Sequence, residues 1–204
     1  MPTKSSVDFG QNGHTSISKK LLSFPLCEKT LLSGSYKRNT ANKPLNDVDI
    51  LMIMKCGTRL TKQLRAEIRE HVQKNLPDKA TLQNQDKSIG IDLPGRQVGL
   101  DSDERVTFDV IPTIVVKDNQ LQILSRGGET IDTWPALATE KVKERDEASA
   151  GYFRKLVRVL KTWNKHNSRW NPKFKKYKKP LKSFHLEVMC YDFDFTKDTN
   201  MTVG

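Results

Sequence analysis

Residues 33–54 read SGSYKRNTANKPLNDVDILMIM, and this stretch contains the pattern that decides the fold. A Gly-Ser pair ends a short apolar segment, and a polar, turn-rich segment separates it from an apolar run that opens with Asp47 and Asp49. The run at 47–55 is short, continuous and apolar, which predicts a buried β-strand. Because residues i and i+2 of a strand point to the same face of the sheet, the two carboxylates should lie side by side.

Paired carboxylates of this kind are a candidate metal site. Two negative charges on one face repel each other unless a cation lies between them. Oxygen ligands in this arrangement suit Mg²⁺ or Mn²⁺ better than zinc. An Asp-x-Asp at the start of a strand is also ordinary turn chemistry, so the dyad alone leaves metal binding and simple solvation both open.

A third aspartate strengthens the metal interpretation. Asp109 lies within RVTFDVIPTIVV (105–116), a second predicted strand, where a charge is costly unless something pairs with it. If this strand lies beside 47–55, three carboxylates meet at one edge of the sheet. Such a group can hold two metal ions, one at an attacking hydroxyl and one at the phosphates of a nucleoside triphosphate.

The Gly34-Ser35 pair fits a phosphate ligand. Glycine lets the backbone approach a phosphate closely, and the serine hydroxyl and the amides of a helix N-terminus supply donors. An ordinary turn is the alternative for this pair taken alone. The sequence contains no Walker A motif, so a P-loop mode of phosphate binding is excluded.

The rest of the chain reads as a mixture of helices and strands. Apolar residues at helical spacing predict helices over 59–75 and 146–166, and SIGIDL (88–93) predicts a further strand. The Gly-, Pro- and Asp-rich segment between this strand and the next predicts a hairpin loop. Residues 119–140 look irregular, and the polar N-terminal residues 1–14 are expected to be frayed.

The chain of 204 residues carries a formal charge of +11, which favours polyanionic partners. Residues 165–182 contain eight Lys or Arg and no acidic residue. Trp170, Phe174 and Tyr177 interleave with these charges, which suits base stacking beside phosphate neutralisation. Nucleic-acid contact and a solvated basic loop both remain open for this segment.

Cysteine usage and hydropathy favour a reducing, cytoplasmic compartment. Cys27, Cys56 and Cys190 are scattered and odd in number, so a disulfide framework is not expected. No apolar run approaches the roughly 20 residues of a membrane helix, and the N-terminus lacks the pattern of a secretory signal. We therefore expect no membrane association.

Several sequence blocks together resemble one superfamily. The Gly-Ser pair, the Asp-x-Asp strand and a lone aspartate on a later strand resemble the DNA-polymerase-beta-like nucleotidyltransferases. GSYKRNT…DVDILM, FDVIPTI, LVRVLKTWNKHN and LKSFHLE are similar to the branch of oligoadenylate synthases, cyclic GMP–AMP synthases and the bacterial cyclic oligonucleotide synthases of anti-phage defence. The similarity runs from residue 31 to about residue 190.

This resemblance implies an α/β (α+β) fold and a set of roles. Residues 1–118 would form the nucleotidyltransferase core with its mixed sheet, and 119–204 a partial helical lobe closing over the nucleotide. Two Mg²⁺ or Mn²⁺ ions would bind the catalytic triad, which is Asp47, Asp49 and Asp109. The residues implied in nucleotide binding are Gly34, Ser35, Arg38, Lys161, Ser183 and Phe184. In the resemblance, Lys161 contacts the donor phosphates from the basic side of its helix, and Phe184 stacks on the donor base.

The implied activity is template-independent nucleotidyl transfer from nucleoside triphosphates, ATP and GTP among them. The product would be a cyclic or short linear oligonucleotide, a second messenger of anti-phage defence. Members of the branch usually continue past SFHLE, whereas this sequence ends at Gly204, so the completeness of the acceptor pocket stays open. Two alternatives stay open: transfer to RNA or protein, and a catalytically silent nucleotide- or nucleic-acid-binding module. The oligomeric state is not predicted.

Overall fold

A computed structural model describes residues 4–42, 47–76, 80–94, 105–171 and 176–193. The helices within these ranges are α1 (Lys4–Leu22), α2 (Gly34–Lys37), α3 (Lys62–Asn75), α4 (Pro135–Ala148), α5 (Tyr152–His166) and α6 (Ser183–Met189), followed by a 3₁₀ turn at Cys190–Asp192. The strands are β1 (Cys27–Ser33), β2 (Asp47–Met54), β3 (Thr81–Asn84), β4 (Ile89–Pro94), β5 (Arg105–Lys117), β6 (Gln120–Leu124), β7 (Thr130–Thr133), β8 (Arg169–Asn171) and β9 (Lys176–Lys178). None of the described helices is long and apolar enough to cross a membrane.

Seven of these strands form one mixed sheet in the order β1-β2-β5-β4-β3, with β6 paired to β5 and β7 paired to β6. Strands β2 and β5 run parallel, and the other pairs run antiparallel. The long strand β5 changes partner along one edge, from β4 up to Val110 to β6 from Thr113 onward. Pro112 lies at this change, where its missing N–H costs least.

The two faces of the sheet have opposite character because side chains alternate along each strand. On one face, Val48, Ile50 and Met52 of β2 pack with Phe108 and Val110 of β5 in the main core. Buried residues of α1 and α3 complete this core, namely Ile17, Leu21, Leu64, Ile68 and Val72. The other face carries the carboxylates at one end of β2 and a smaller apolar cluster around Leu51, Ile53 and Leu121 farther along.

The chain divides into two compact units. The first takes in the described residues of 4–37 and 47–136, and the second those of 38–42 and 137–193. The second unit has its own small core, in which Val142 of α4 packs with Phe153 and Val157 of α5 and with Cys190. The predicted division after residue 118 differs from this one, because β6 and β7 pair with the sheet of the first unit.

Several predicted elements are confirmed, and three predictions are wrong. The strands at 47–55, 88–93 and 105–116 correspond to β2, β4 and β5, and the helix at 59–75 corresponds to α3. Residues 119–140, expected to be irregular, form β6, β7 and the start of α4, and the expected frayed N-terminus is helical from Lys4.

The third error is the single helix predicted over 146–166. Ala150 and Gly151 have φ of 49° and 84°, so the chain leaves helical geometry there and separates α4 from α5. The predicted hairpin loop falls almost entirely on residues 95–104, which lie outside the described residues.

Candidate active site

A row of polar residues crosses the sheet of the first unit. Ser33 on β1 pairs with Asp49, Asp49 pairs with Asp109, Asp109 pairs with Gly90, and Gly90 pairs with Gln83 on β3. Paired residues on adjacent strands point to the same face. The register therefore brings together Asp49 and Asp109, which are far apart in sequence.

A second row lies one step along the same face. Asp47 pairs with Thr107, and Thr107 pairs with Asp92 on β4. Asp92 is buried, and it accepts hydrogen bonds from the Thr107 hydroxyl at 2.6 Å and from the side-chain amide of Gln83. This fourth carboxylate was not predicted from the sequence, although its position two residues after Gly90 in an apolar run was a usable signal.

The electrostatics of the face are concentrated on Asp109. Burial, followed by the negative charges of Asp49 and Asp47, raises the pKa of Asp109 to about 7, while a hydrogen bond from Ser88 opposes the rise. A carboxyl that titrates near neutral pH can accept and release a proton under ordinary working conditions. The three carboxylates of β2 and β5 are therefore close enough to interact electrostatically.

Gly34 lies against the carboxylate of Asp49. Its φ is 67°, in the left-handed region, and a Cβ built at this position would overlap the Asp49 side chain. The turn that begins α2 thus approaches the carboxylates only because residue 34 has no side chain. Ser35 follows in this turn and is half-buried. The structure therefore places five predicted site residues in the first unit, where Gly34 lies against Asp49 and Asp49 lies beside Asp109.

The donor set suits divalent cations. Among the described residues, no three acidic, histidine or cysteine side chains already converge as a closed metal cluster. The fit rests instead on three carboxylates in adjacent register on one face and on the repulsion that raises the pKa of Asp109. Positive charge placed there would relieve that repulsion, and Asp47, Asp49 and Asp109 would hold it.

The second unit contains the other predicted nucleotide-binding residues around a buried carboxylate. Glu187 of α6 is fully buried and accepts a hydrogen bond from Arg38 Nε at 2.5 Å. Its other oxygen accepts from the Thr40 hydroxyl at 2.8 Å and from Lys161 Nζ at 3.1 Å. Lys161 Nζ also donates to the backbone carbonyl of Thr40. These four residues form a buried charge cluster.

Two charged groups in this cluster have shifted pKa values. Burial would raise the pKa of Glu187, but Arg38 and Lys161 outweigh it and hold that pKa below its ordinary value. Burial lowers the pKa of Lys161, with Glu187 acting in the opposite direction. The carboxylate is therefore ionised and its negative charge is satisfied within the unit.

The expected position of Lys161 on the basic side of its helix is wrong. Lys161 is only 8% exposed and shares the buried face of α5 with Phe153, Val157 and Asn164. Its implied contact with donor phosphates stays a prediction, as does that of Arg38, whose side chain is also buried. Glu187, the partner of both cations, was not predicted from the sequence.

Ser183 and Phe184 occupy the first turn of α6. Phe184 is 50% exposed, and the guanidinium carbon of Arg38 lies 5.7 Å from its ring centroid, within the range of a cation–π contact. Asn164 holds the entry to this helix, because its side chain both donates to and accepts from the backbone of Leu181. An exposed ring on a fixed helix is compatible with the predicted stacking on a base.

The basic segment 165–182 contains a short hairpin. Strands β8 and β9 pair antiparallel, with Arg169 opposite Lys178 and Trp170 opposite Tyr177. The Trp170 side chain is 55% exposed. Phe174 lies outside the described residues. Nucleic-acid contact through this segment remains a prediction.

Comparisons with known proteins agree with this geometry. Residues 16–89 match the nucleotidyltransferase domain family. The chain is 24% identical over 168 residues to the cyclic AMP-AMP-AMP synthase of Escherichia coli strain MS 115-1, a match that covers 79% of this chain and 49% of that protein. The chain thus spans about half the length of this relative.

Solved structures show the same fold. The Elizabethkingia meningoseptica CdnE cyclic dinucleotide synthase with GTP and Apcpp superposes with a TM-score of 0.71 at 22% identity, over 91% of this chain and 69% of that one. The CdnE c-di-GMP synthase of Capnocytophaga granulosa gives 0.70 at 18% identity, over 96% and 62%. The predicted mixed α/β fold is therefore confirmed, and the chain is similar in fold to bacterial cyclic oligonucleotide synthases.

Proposed function

Since this chain contains a nucleotidyltransferase domain and has the fold of the bacterial cyclic oligonucleotide synthases, we propose that it joins ribonucleotides from nucleoside triphosphates into a cyclic or short linear oligonucleotide. The observation that carries the proposal is the row in which Asp49 and Asp109 pair across β2 and β5, with Gly34 against Asp49. The relatives include a cyclic AMP-AMP-AMP synthase and a cyclic dinucleotide synthase with bound GTP and Apcpp, which supports ATP and GTP as substrates.

In the proposed reaction a ribose hydroxyl attacks the α-phosphorus of a nucleoside triphosphate. A new phosphorus–oxygen bond forms, the bond between the α-phosphorus and the bridging oxygen breaks, and pyrophosphate leaves. Asp109 accepts the hydroxyl proton, a role that its position beside Asp49 on the same face of the sheet supports. Bound Mg²⁺ or Mn²⁺ would supply positive charge that offsets the charge developing on the attacking and leaving oxygens.

Further roles come from the resemblance. Gly34 and Ser35 present backbone and hydroxyl donors to the triphosphate, because glycine permits close approach of the backbone. Arg38, Lys161 and Ser183 are proposed to contact phosphate, and the exposed Phe184 ring to stack on a base. Signalling in anti-phage defence is part of the same proposal.

The test is pyrophosphate release from the four ribonucleoside triphosphates with Mg²⁺ or Mn²⁺, with products identified by mass spectrometry. We expect metal-dependent release and a cyclic or short oligonucleotide, both abolished in the double variant Asp47→Ala, Asp49→Ala. Asp132→Ala on β7 is the matched control, because its carboxylate is exposed on the same sheet and away from the triad.

Other results would separate the alternatives. Label transferred into RNA or protein, with no small oligonucleotide, would support a different acceptor. Metal-dependent nucleotide binding without pyrophosphate release would support a silent binding module. Release that the double variant retains would overturn the assignment of the triad.

A further inference from the structure

A tight turn at residues 85–88 holds a side-chain amide against the third carboxylate. Gln85 Nε2 donates to Asp109 Oδ1 at 2.8 Å, and the Ser88 hydroxyl donates to Gln85 Oε1 at 3.0 Å. The two partners fix the orientation of the amide, since a carboxylate accepts and a hydroxyl can donate. The one hydroxyl hydrogen of Ser88 serves either Gln85 or Asp109, so the same turn supports both side chains.

A buried arginine holds this turn in place. Arg65 on α3 is 8% exposed, and its guanidinium donates to the backbone carbonyls of Gln85 at 2.5 Å, Asp86 at 3.0 Å and Ser88 at 2.7 Å. A fourth bond reaches the carbonyl of Leu124 at 3.3 Å. A buried cation is costly unless its donors are used, and here carbonyl oxygens of one turn use most of them. The position of Gln85 is therefore set by the core of the first unit.

The sheet leaves room for the contact at Gly90. Gly90 pairs with Asp109, and a Cβ built on it would lie 2.9 Å from Gln85 Nε2 and 3.4 Å from Asp109 Oδ1. Any side chain at residue 90 would push the Gln85 amide away from the carboxylate. Arg65 of α3, Ser88 of the turn and Gly90 of β4 therefore all support the hydrogen bond from Gln85 to Asp109.

We propose that Gln85 is a positioning residue for Asp109, an inference that rests on the proposed function of Asp109 as a metal ligand. A carboxylate with one oxygen bonded to a fixed donor keeps one orientation, and such supporting bonds tune metal affinity. The donor is neutral, so it orients Asp109 without cancelling the negative charge that attracts a cation. A lysine or arginine in this place would compete with the cation.

The test measures Mn²⁺ binding by electron paramagnetic resonance, together with thermal unfolding in EDTA, on the full chain at one alkaline pH. Gln85→Leu removes the donor at similar volume, and Gly90→Ala displaces the amide while Gln85 stays intact. Gln122→Leu is the matched control, because Gln122 likewise donates from its amide to a carboxylate, Asp132, at 3.0 Å on the outer strands. We expect both test variants to weaken Mn²⁺ binding about 10- to 100-fold and the control to bind as the unaltered chain does.

The outcomes separate the two proposals. Asp109→Asn with unchanged Mn²⁺ affinity would show that the proposed metal site itself is wrong. Loss of affinity in Asp109→Asn, with unchanged affinity in Gln85→Leu and Gly90→Ala, would overturn the positioning role alone. A purely structural role predicts a lower unfolding temperature in EDTA with unaltered Mn²⁺ affinity of the folded protein. If Gln85→Leu does not fold, Gly90→Ala decides alone.

Discussion

At the scale of single residues, Asp109 links the stability of the fold to pH. Its pKa is about 7 in the folded protein, above the value of about 3.9 for an ordinary aspartate. The folded state therefore binds the proton more tightly than the unfolded state. The resulting stabilisation is complete below about pH 4 and is lost as the pH rises through 7.

The variant Asp109→Asn cannot ionise at this position, so it should not lose this stability as the pH rises. Without divalent metal, we expect the variant to gain unfolding temperature over the unaltered chain as the pH rises from about 5 to about 8. Thermal unfolding in EDTA across this range measures the difference, and Asp132→Asn serves as the exposed control. A difference that does not change with pH would contradict the raised pKa. Adding Mg²⁺ should stabilise the unaltered chain and not the variant.

The role of Gly34 can be tested against a second glycine of the chain that has a similar backbone conformation. Gly34 and Gly57 both have positive φ, yet only at Gly34 would a Cβ overlap Asp49, whereas nothing lies within 4 Å of one at Gly57. Each Ala variant should lose about 1–2 kcal/mol of stability from the left-handed backbone. Only Gly34→Ala should also lose activity, by about 100-fold, since it displaces a carboxylate of the site.

Pyrophosphate release and chemical denaturation of the two variants separate these effects. Equal activity in Gly34→Ala and Gly57→Ala would mean that close approach at residue 34 does not matter for the reaction.

At the scale of elements, the buried charge cluster ties α5 and α6 to the segment 38–42. Glu187→Ala would leave Arg38 and Lys161 buried without their carboxylate, which typically costs about 3–5 kcal/mol. We expect the unfolding temperature to fall by roughly 10 °C, given about 2–4 °C per kcal/mol for a chain of this size. Glu140→Ala, on the exposed face of α4, should change it little. A similar small change in both variants would show that the cluster contributes no net stability.

The sequence predicted those elements whose apolar pattern is strong. Strand β2 is a continuous apolar run because both faces of its later residues are covered, and α3 has apolar residues at helical spacing. Strands β6 and β7 were missed because they are short and polar residues interrupt their apolar pattern. The break at Ala150 and Gly151 was missed because helical spacing appears to continue across it when only apolar residues are compared.

Those residues of the candidate site that are charged and lie in apolar strands could be predicted from the sequence. Asp47, Asp49 and Asp109 stand out for this reason, and the register confirms that Asp49 and Asp109 are neighbours. Gln85 carries no such signal, since a glutamine in a turn is unremarkable until its partner is known. Lys161 was assigned to the wrong face, although it follows Phe153 and Val157 at helical spacing and so belongs to the buried stripe.

At the scale of the whole molecule, the charge of +11 leads to a prediction about salt. If the hairpin of β8 and β9 contacts nucleic acid, the double variant Arg169→Gln, Lys178→Gln should bind a single-stranded oligonucleotide more weakly. The slope of log affinity against log salt concentration should fall by about 1.4, since each of the two lost phosphate contacts contributes about 0.7. Fluorescence anisotropy across a salt series measures both quantities.

The control variant changes the net charge by the same amount, but at positions outside the basic segment. Lys117→Gln, Lys143→Gln removes two exposed lysines outside the basic segment. Equal slopes for the two double variants would show that binding follows overall charge and that the hairpin has no special part in it.

The second unit is discontinuous along the chain, because it takes residues 38–42 from the middle of the first. Arg38 and Thr40 supply two of the three side chains that satisfy Glu187, so a C-terminal fragment from residue 137 onward would bury that carboxylate without them. The two units therefore cannot be cut apart at a single peptide bond. Recombination that exchanged only the C-terminal segment between homologues would keep the second unit intact only if residues 38–42 still supplied partners for the buried carboxylate. The two stretches are therefore expected to be inherited together.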